Sequence, residues 1–249
     1  MSYVLIHGGG SSARFWDRLV PFLDGPTLAI NLPGRADNPA DLGTITVDDE
    51  VASIVRDIEA ASLPDPIVLV AHSSGGLPVP GVVAALGGRV THVVLNAASV
   101  PLEGGCGLDC MKPRHRDGLE QAVKAMGDQA VTMTTPGPPS DPEAFRTTYG
   151  GEPLDDETLA FVLDPARTVT DTINHYFQPV HWSRAGDVPV TYILNEHDRP
   201  IPTDLQEKMI DRLPHPPTVV RLDSGHIPPI TMPREFAAIV NAVGLSANA

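Results

Sequence analysis

Ile67-Val68-Leu69-Val70-Ala71-His72-Ser73-Ser74-Gly75-Gly76 is the stretch that decides the fold. Its first five residues are apolar without interruption and rich in β-branched side chains. This is the pattern of a short strand buried on both faces of a parallel sheet. Small residues then stand two positions either side of Ser73, Ala71 before it and Gly75 after it. A sharp strand-to-helix turn leaves no room for larger side chains there, although Gly is commoner than Ala at the first of these positions. Such a turn raises the Ser73 hydroxyl above the end of the sheet. It also places the Ser74 N–H at a helix start, where donors are unpaired and the helix dipole favours negative charge. A tight turn with an incidental serine is the plainer alternative, and the rest of the chain decides between them.

Upstream, Tyr3–Ile6 is a short strand-like run that stops at His7-Gly8-Gly9-Gly10, with an amphipathic, helix-like segment over Ala13–Leu23. Thr27–Asn31 is a second strand, ending at Leu32-Pro33-Gly34-Arg35. Thr46-Val47-Asp48-Asp49 then opens a helix with a capping-box pattern, and Val47, Val51, Ile54, Val55 and Ile58 recur at helical spacing. After the Ser73 turn a helix runs to about Leu86, and Val90–Asn96 is a fourth strand. The alternation breaks over residues 101–185 and resumes with strands at Val188–Leu194 and Thr218–Leu222 and helices at Thr203–Leu213 and Pro233–Val243. Six strands alternating with helices predict an α/β fold with a mainly parallel, doubly wound sheet, in which ligands bind beyond the carboxyl ends of the strands. Residues 1–100 and 186–249 are expected to form the core, and 101–185 a cap inserted over it.

The chain has 249 residues, 42% of them apolar and 19% charged, enough for a large buried core in one domain with an insertion. The formal net charge of −14 leaves no basic stripe for phosphates, so nucleic acid and anionic membrane surfaces are poor partners. The 22 Gly and 26 Pro follow no period, which excludes collagen and low complexity and predicts many punctuated loops. Two cysteines make no disulfide framework. With no long apolar span and no leader before the first strand, a cytoplasmic protein is the expectation.

Three chemical features fall just after strand ends: Ser73, Asp198 in Asn195-Glu196-His197-Asp198, and His226 in Gly225-His226. A serine hydroxyl is a weak nucleophile, so it needs an imidazole within hydrogen-bond reach. That imidazole in turn needs a carboxylate to fix its tautomer. The order Ser, Asp, His along the chain is the one this architecture uses. His7-Gly8-Gly9-Gly10 adds a turn whose backbone can approach a reacting carbonyl without a Cβ in the way. Gly9 is the expected oxyanion donor beside Ser74, with Gly10 as the alternative. A nucleotide-binding loop is disfavoured, because neither G-x-G-x-x-G nor a Walker lysine is present.

These residues, with Trp16, Leu32-Pro33-Gly34-Arg35 and Pro202, resemble the α/β-hydrolase family over nearly the whole chain. Within it the chain is most similar to the compact esterase and hydroxynitrile-lyase branch, since it begins on the strand leading to His7 and so is expected to lack the N-terminal hairpin. Lyases of that branch carry Thr after the first His and Lys after the catalytic His. Gly8 and Ile227 stand there in this chain. The resemblance therefore implies hydrolysis of a small carboxylic ester or lactone through an acyl-enzyme on Ser73, without a cofactor. C–C bond hydrolysis or a lyase reaction on the same triad is the alternative, and a non-catalytic ligand-binding homologue is a second.

Some relatives take their acid from the segment after the fourth strand, which makes Glu103 a rival to Asp198. Glu196, His197 and Asp223 are expected on loops, and His72 is expected to pack beneath the turn. Cys106, Cys110 and His115 lack a fourth ligand for a metal, and a local disulfide is a minor alternative. The cap would choose the substrate. The expected lining is Met111, Phe145, Tyr149, Tyr176, Trp182 and Leu77, with Met126, Met133, Phe177 and Pro78 as further candidates. The oligomeric state, a homodimer included, is left open.

Overall fold

The computed structural model describes residues 1–127, 134–135, 137–151 and 154–246. In chain order the core begins with β1 (Ser2–Ile6), β2 (Thr27–Ile30), α1 (Val47–Ala61), β3 (Ile67–His72), α2 (Val79–Leu86) and β4 (Val90–Asn96). The inserted segment holds α3 (Pro113–Met126), β5 (Thr134–Thr135), α4 (Pro142–Tyr149), α5 (Asp156–Val162) and β6 (Asp171–Thr172). The core closes with β7 (Val190–Asn195), α6 (Thr203–Ile210), β8 (Thr218–Leu222), α7 (Pro228–Thr231) and α8 (Pro233–Ser246).

Six strands form one sheet in the order β2-β1-β3-β4-β7-β8, every neighbouring pair parallel. β3 is buried along its whole length because both faces are covered. Ile67 and Leu69 pack toward α1, α2 and α6 with Ile54, Val82 and Met209. Val68 and Val70 pack on the opposite face with Phe236 and Val240 of α8 and with Trp16. At roughly 1.5–3 kcal/mol for each fully buried aliphatic side chain, this strand anchors the sheet. The chain leaves β1 toward β2 on one side and toward β3 on the other, so the order reverses at β1. The loops after β1 and β3 diverge there and leave a crevice between them.

α1 starts at a full capping box. The Asp49 N–H donates to Thr46 Oγ1 at 3.1 Å, and the Thr46 N–H donates to Asp49 Oδ2 at 2.9 Å. The single helix predicted over Ala13–Leu23 is instead two 3-10 turns, Ala13–Trp16 and Val20–Phe22. Pro21 has no N–H for the i−4 carbonyl, and its ring clashes with that group, so the segment turns twice while still burying Phe15, Trp16 and Leu19.

The insertion is richer in structure than the sequence pattern suggests. α3 spans 14 residues and buries none of them. Leu119, Ala122, Val123 and Met126 nonetheless recur at helical spacing, a signal the sequence reading passed over, and Leu119 and Ala122 face a cavity above the sheet. β5 and β6 pair antiparallel, Thr134 with Thr172 and Thr135 with Asp171. Thr132 and Met133 lie outside the described residues. Val180, Trp182 and Ala185 are buried in the core layer beside Leu77 and Val82, so the segment has rejoined the core before residue 185.

Candidate active site

The turn after β3 has the backbone that the flanking small residues require. Ser73 sits at φ +52, a left-handed conformation that is costly for a residue bearing a Cβ. Neighbouring atoms enforce it. A Cβ on Gly75 would lie 2.5 Å from the His7 carbonyl oxygen and 2.8 Å from that of Ile6. On the far side, the Ser73 carbonyl accepts the Ser99 N–H at 2.8 Å, which ties the turn to the end of β4.

His226 follows β8 on a buried loop. Its Nδ1 is 2.6 Å from Asp198 Oδ2. A carboxylate only accepts, so Nδ1 carries a proton, and the neutral tautomer this selects has its lone pair on Nε2. Asp198 is itself fixed, because its Oδ1 accepts the Ile201 N–H at 2.7 Å. The Asn195 main chain is held on both sides by Gln206 of α6, whose Oε1 accepts the Asn195 N–H at 3.0 Å and whose Nε2 donates to the Asn195 carbonyl at 3.0 Å. The N–H of His197 donates to the Ser224 carbonyl at 2.9 Å, linking the acid loop to the histidine loop. Ser73 and His226 line the same cavity.

His72 stacks on Phe15, with ring centroids 4.6 Å apart, and packs against His226 at 4.6 Å. Burial holds its pKa well below the ordinary value, so it stays neutral. It packs beneath the Ser73 turn, where the sequence reading places it.

The glycine loop after β1 is held from two directions. His7 is fully buried, and burial lowers its pKa to about 3. Its Nδ1 donates to the Gly8 carbonyl at 2.8 Å, and its Nε2 accepts the Leu32 N–H at 3.3 Å. The Gly8 carbonyl and the Gly9 N–H belong to one trans peptide plane and point in opposite directions, so the bond from His7 aims the Gly9 N–H away from His7. The Gly10 alternative fails. Its N–H donates to Asp171 Oδ2 at 2.9 Å and is not available to a ligand. Among the described residues neither the Gly9 nor the Ser74 N–H has an acceptor outside its own turn. Ser74 lies in the first turn of the 3-10 helix Ser73–Gly76, where N–H groups have no intrahelical partner.

A cavity of about 820 Å³ opens above Ser73 and His226. Of the expected lining residues, Met111, Phe145, Tyr149 and Tyr176 face it. Leu77 and Trp182 do not. Both are buried in the core layer between α2 and the 3-10 turn Trp182–Ala185, because the insertion returns to the core earlier than the sequence pattern suggests. Pro78 is also buried away from the cavity, Phe177 is half-buried outside it, and Met126 is exposed at the end of α3. Tyr149 stacks on Phe145 with ring centroids 4.7 Å apart and approaches His226 at 5.9 Å. Burial, with Asp198 nearby, raises its pKa to about 12, so its hydroxyl keeps its proton.

Glu103 is not an alternative acid. It is exposed and accepts from the Ser183 hydroxyl at 2.6 Å and from His181 Nδ1 at 3.2 Å, on the outer surface. Asp223 is exposed and pairs with His197 at 2.7 Å. Cys106 and Cys110 are free thiols, and no cluster of metal-ligating side chains occurs among the described residues.

The sequence reading missed a buried charged group behind the glycine loop: Arg35, Glu50, Asp171 and His175, each 0–1% exposed. The Arg35 guanidinium pairs with Asp171 and donates to the Pro33 carbonyl. His175 Nδ1 donates to Glu50 Oε1 at 2.8 Å, and Glu50 lies 3.9 Å from Arg35. The only signal in sequence is Arg35 itself, in Leu32-Pro33-Gly34-Arg35, a cation placed where the chain must turn back toward the sheet.

Comparison with known proteins agrees with this architecture. The chain is 25% identical to Methylesterase 7 of Arabidopsis thaliana over 254 residues, covering 96% of this chain and 94% of the relative. Among solved structures, an extracellular alpha/beta-hydrolase from a Paenibacillus species superposes with a TM-score of 0.77 at 20% identity, covering 96% of this chain and 97% of that one. A pyrethroid hydrolase from Sphingobium faniae gives 0.75 at 20% identity, covering 100% and 98%. The model of the alpha/beta hydrolase family matches residues 3–239, and this chain belongs to that family.

Proposed function

We propose that the protein is a cofactor-independent serine hydrolase of small carboxylic esters. The observation that carries the reading is the Asp198–His226 hydrogen bond, which selects the tautomer whose acceptor is Nε2, in the cavity that also exposes the strained Ser73. In the proposed cycle Nε2 takes the Ser73 proton as the hydroxyl attacks the ester carbonyl. The resulting oxyanion is received by the N–H groups of Gly9 and Ser74. His226 returns the proton to the departing alcohol, and a water deprotonated by His226 then releases the acid from Ser73. The cavity supports an apolar acyl or alcohol group, since Phe15, Met111, Phe145, Phe161, Ile227 and Ile230 line it; with Arg114 and Arg167 in the wall and no carboxylate among the described lining residues, a cationic substrate is disfavoured. The methylesterase among the relatives supports ester chemistry.

The test is turnover of 4-nitrophenyl esters of graded acyl length by the whole chain. Wild type hydrolyses them, and Ser73→Ala and His226→Ala lose at least roughly 10³-fold in kcat. Ester hydrolysis retained by Ser73→Ala would overturn the reading.

A further inference from the structure

We propose that Asp171, a residue of the inserted segment, is a positioning residue for the Gly9 oxyanion donor, with Arg35 as the counter-ion that holds it in place. The inference rests on the hydrolase reading above and adds a second task for the cap: completing the oxyanion hole.

Three consecutive glycines have no side chains with which to fix their own peptide planes, and a glycine backbone is the most conformationally free of any residue. The plane between Gly8 and Gly9 is held by His7. The next plane, between Gly9 and Gly10, is held, among the described residues, by the inserted segment alone. Asp171 Oδ2 accepts the Gly10 N–H at 2.9 Å, and the Gly10 carbonyl accepts the Val169 N–H at 3.2 Å. These bonds hold Gly10 at φ +64 from both of its polar groups. Pro138 and Gly137 close the remaining side, since a Cβ on Gly10 would come within 2.9 Å of Pro138 Cδ. Tyr176, also from the inserted segment, brings its hydroxyl to 2.9 Å from where a Gly9 Cβ would lie. The two planes share the Gly9 Cα, so with the Gly9–Gly10 plane freed that atom is anchored from one side only, and the Gly9 N–H loses its fixed distance to the reacting carbonyl.

The electrostatics explain why the clamp is a charged residue and why it is buried with a partner. A carboxylate accepts a main-chain N–H more strongly than a neutral oxygen does. Asp171 is fully buried, so its charge must be compensated. Arg35 pairs with Asp171 Oδ1, which also accepts the Thr172 N–H at 2.7 Å, leaving Oδ2 directed at Gly10. Arg35 comes from the loop after β2 and Asp171 from β6, 136 residues later, so the ion pair joins the core and the inserted segment directly behind the oxyanion loop.

The experiment separates positioning from packing by its readout. An alkyl trifluoromethyl ketone adds the Ser73 hydroxyl to form a hemiketal oxyanion. A fluorophosphonate labels Ser73 through a transition state that places negative charge in the same hole. Asp171→Asn keeps shape and one acceptor oxygen but loses the charge. It is expected to weaken trifluoromethyl ketone inhibition and slow fluorophosphonate labelling, each by roughly 10- to 100-fold, in proportion to its loss in kcat, while KM stays within about three-fold. Equal losses in kcat and in inhibitor affinity identify an effect on the oxyanion; a KM effect alone would overturn the proposal. If Asp171→Asn does not fold, the double variant Arg35→Met/Asp171→Leu removes both buried charges together and is expected to show the same proportional losses. Wild-type labelling and inhibition in either folded variant would overturn the proposal. Failure of the hydrolase reading looks different, because the wild-type chain would then neither turn over esters nor be labelled at Ser73.

Discussion

At Asp198 the two carboxylate oxygens have separate duties, Oδ1 on the Ile201 N–H and Oδ2 on His226 Nδ1. That division fixes the rotamer of the acid before it orients the base. In Asp198→Asn the amide NH2 is left facing His226. The imidazole then takes the other tautomer, with its proton on Nε2, where it cannot accept from Ser73. The expected loss in kcat is roughly 10⁴-fold, with the far-ultraviolet dichroism and melting behaviour of a folded chain. That Ser73, Asp198 and His226 come together was legible in sequence because each is marked locally: small residues flank the serine, and the other two follow strand ends. Asp171 carried no such mark. Its partners lie far from it along the chain, at Arg35 and Gly10, and its own neighbours Thr170 and Thr172 give no periodic signal. The proposed second oxyanion donor was legible only as Gly9 or Gly10, and the bond from the Gly10 N–H to Asp171 argues against Gly10.

Among the elements, α6 shows how a helix on the outer layer governs a site it does not touch. Gln206 is fully buried. Its side chain accepts the Asn195 N–H and donates to the Asn195 and Ile201 carbonyls, the latter at 2.8 Å, spanning both ends of the loop that carries Asp198. Gln206→Leu fills the same space but removes the partner of the Asn195 N–H and of the Ile201 carbonyl, at about 1–3 kcal/mol each before relaxation, while the Asn195 carbonyl keeps the Asp198 N–H at 3.4 Å. The variant is expected to lose about 2–4 kcal/mol in urea unfolding and to show a lower kcat, because the acid loop is no longer held at two points. The central strands were legible as uninterrupted apolar runs because both of their faces are covered, and the core helices because burial of one face imposes a period of 3.6. The same reasoning explains the failure over the inserted segment. β5 and β6 are two residues each, too short to carry a period, whereas α3 does show helical spacing at Leu119, Ala122, Val123 and Met126 and was legible though passed over. The Ala13–Leu23 segment had the right apolar spacing for a helix, and Pro21 redirected it.

The whole chain carries an excess of acid on its surface and neutral imidazoles in its interior. Burial depresses the pKa of His7 to about 3 and that of His92 to about 4, and holds His72 well below its ordinary value. In the unfolded chain each returns to about 6.5, so below that pH the unfolded state binds protons that the folded state does not. The stability from these groups is complete above pH 6.5 and is lost as the pH falls toward 3. His7, fully enclosed, contributes a slope of up to about 1.4 kcal/mol per pH unit within that window, and His72 acts in the same direction. The urea midpoint is therefore expected to be flat between pH 7 and 8 and to fall steadily from pH 6 to pH 4. His7→Asn, which keeps a short polar side chain without a titrating ring, should reduce that fall.

The most direct test of the proposed chemistry is a rapid-quench mass spectrum of the intact chain during turnover of 4-nitrophenyl butyrate. An acyl group is expected on Ser73 within the first turnover, accumulating in His226→Ala if acylation is allowed to proceed slowly at high pH, and absent in Ser73→Ala. Steady turnover by wild type with no acyl mass at Ser73, together with turnover retained by Ser73→Ala, would contradict it.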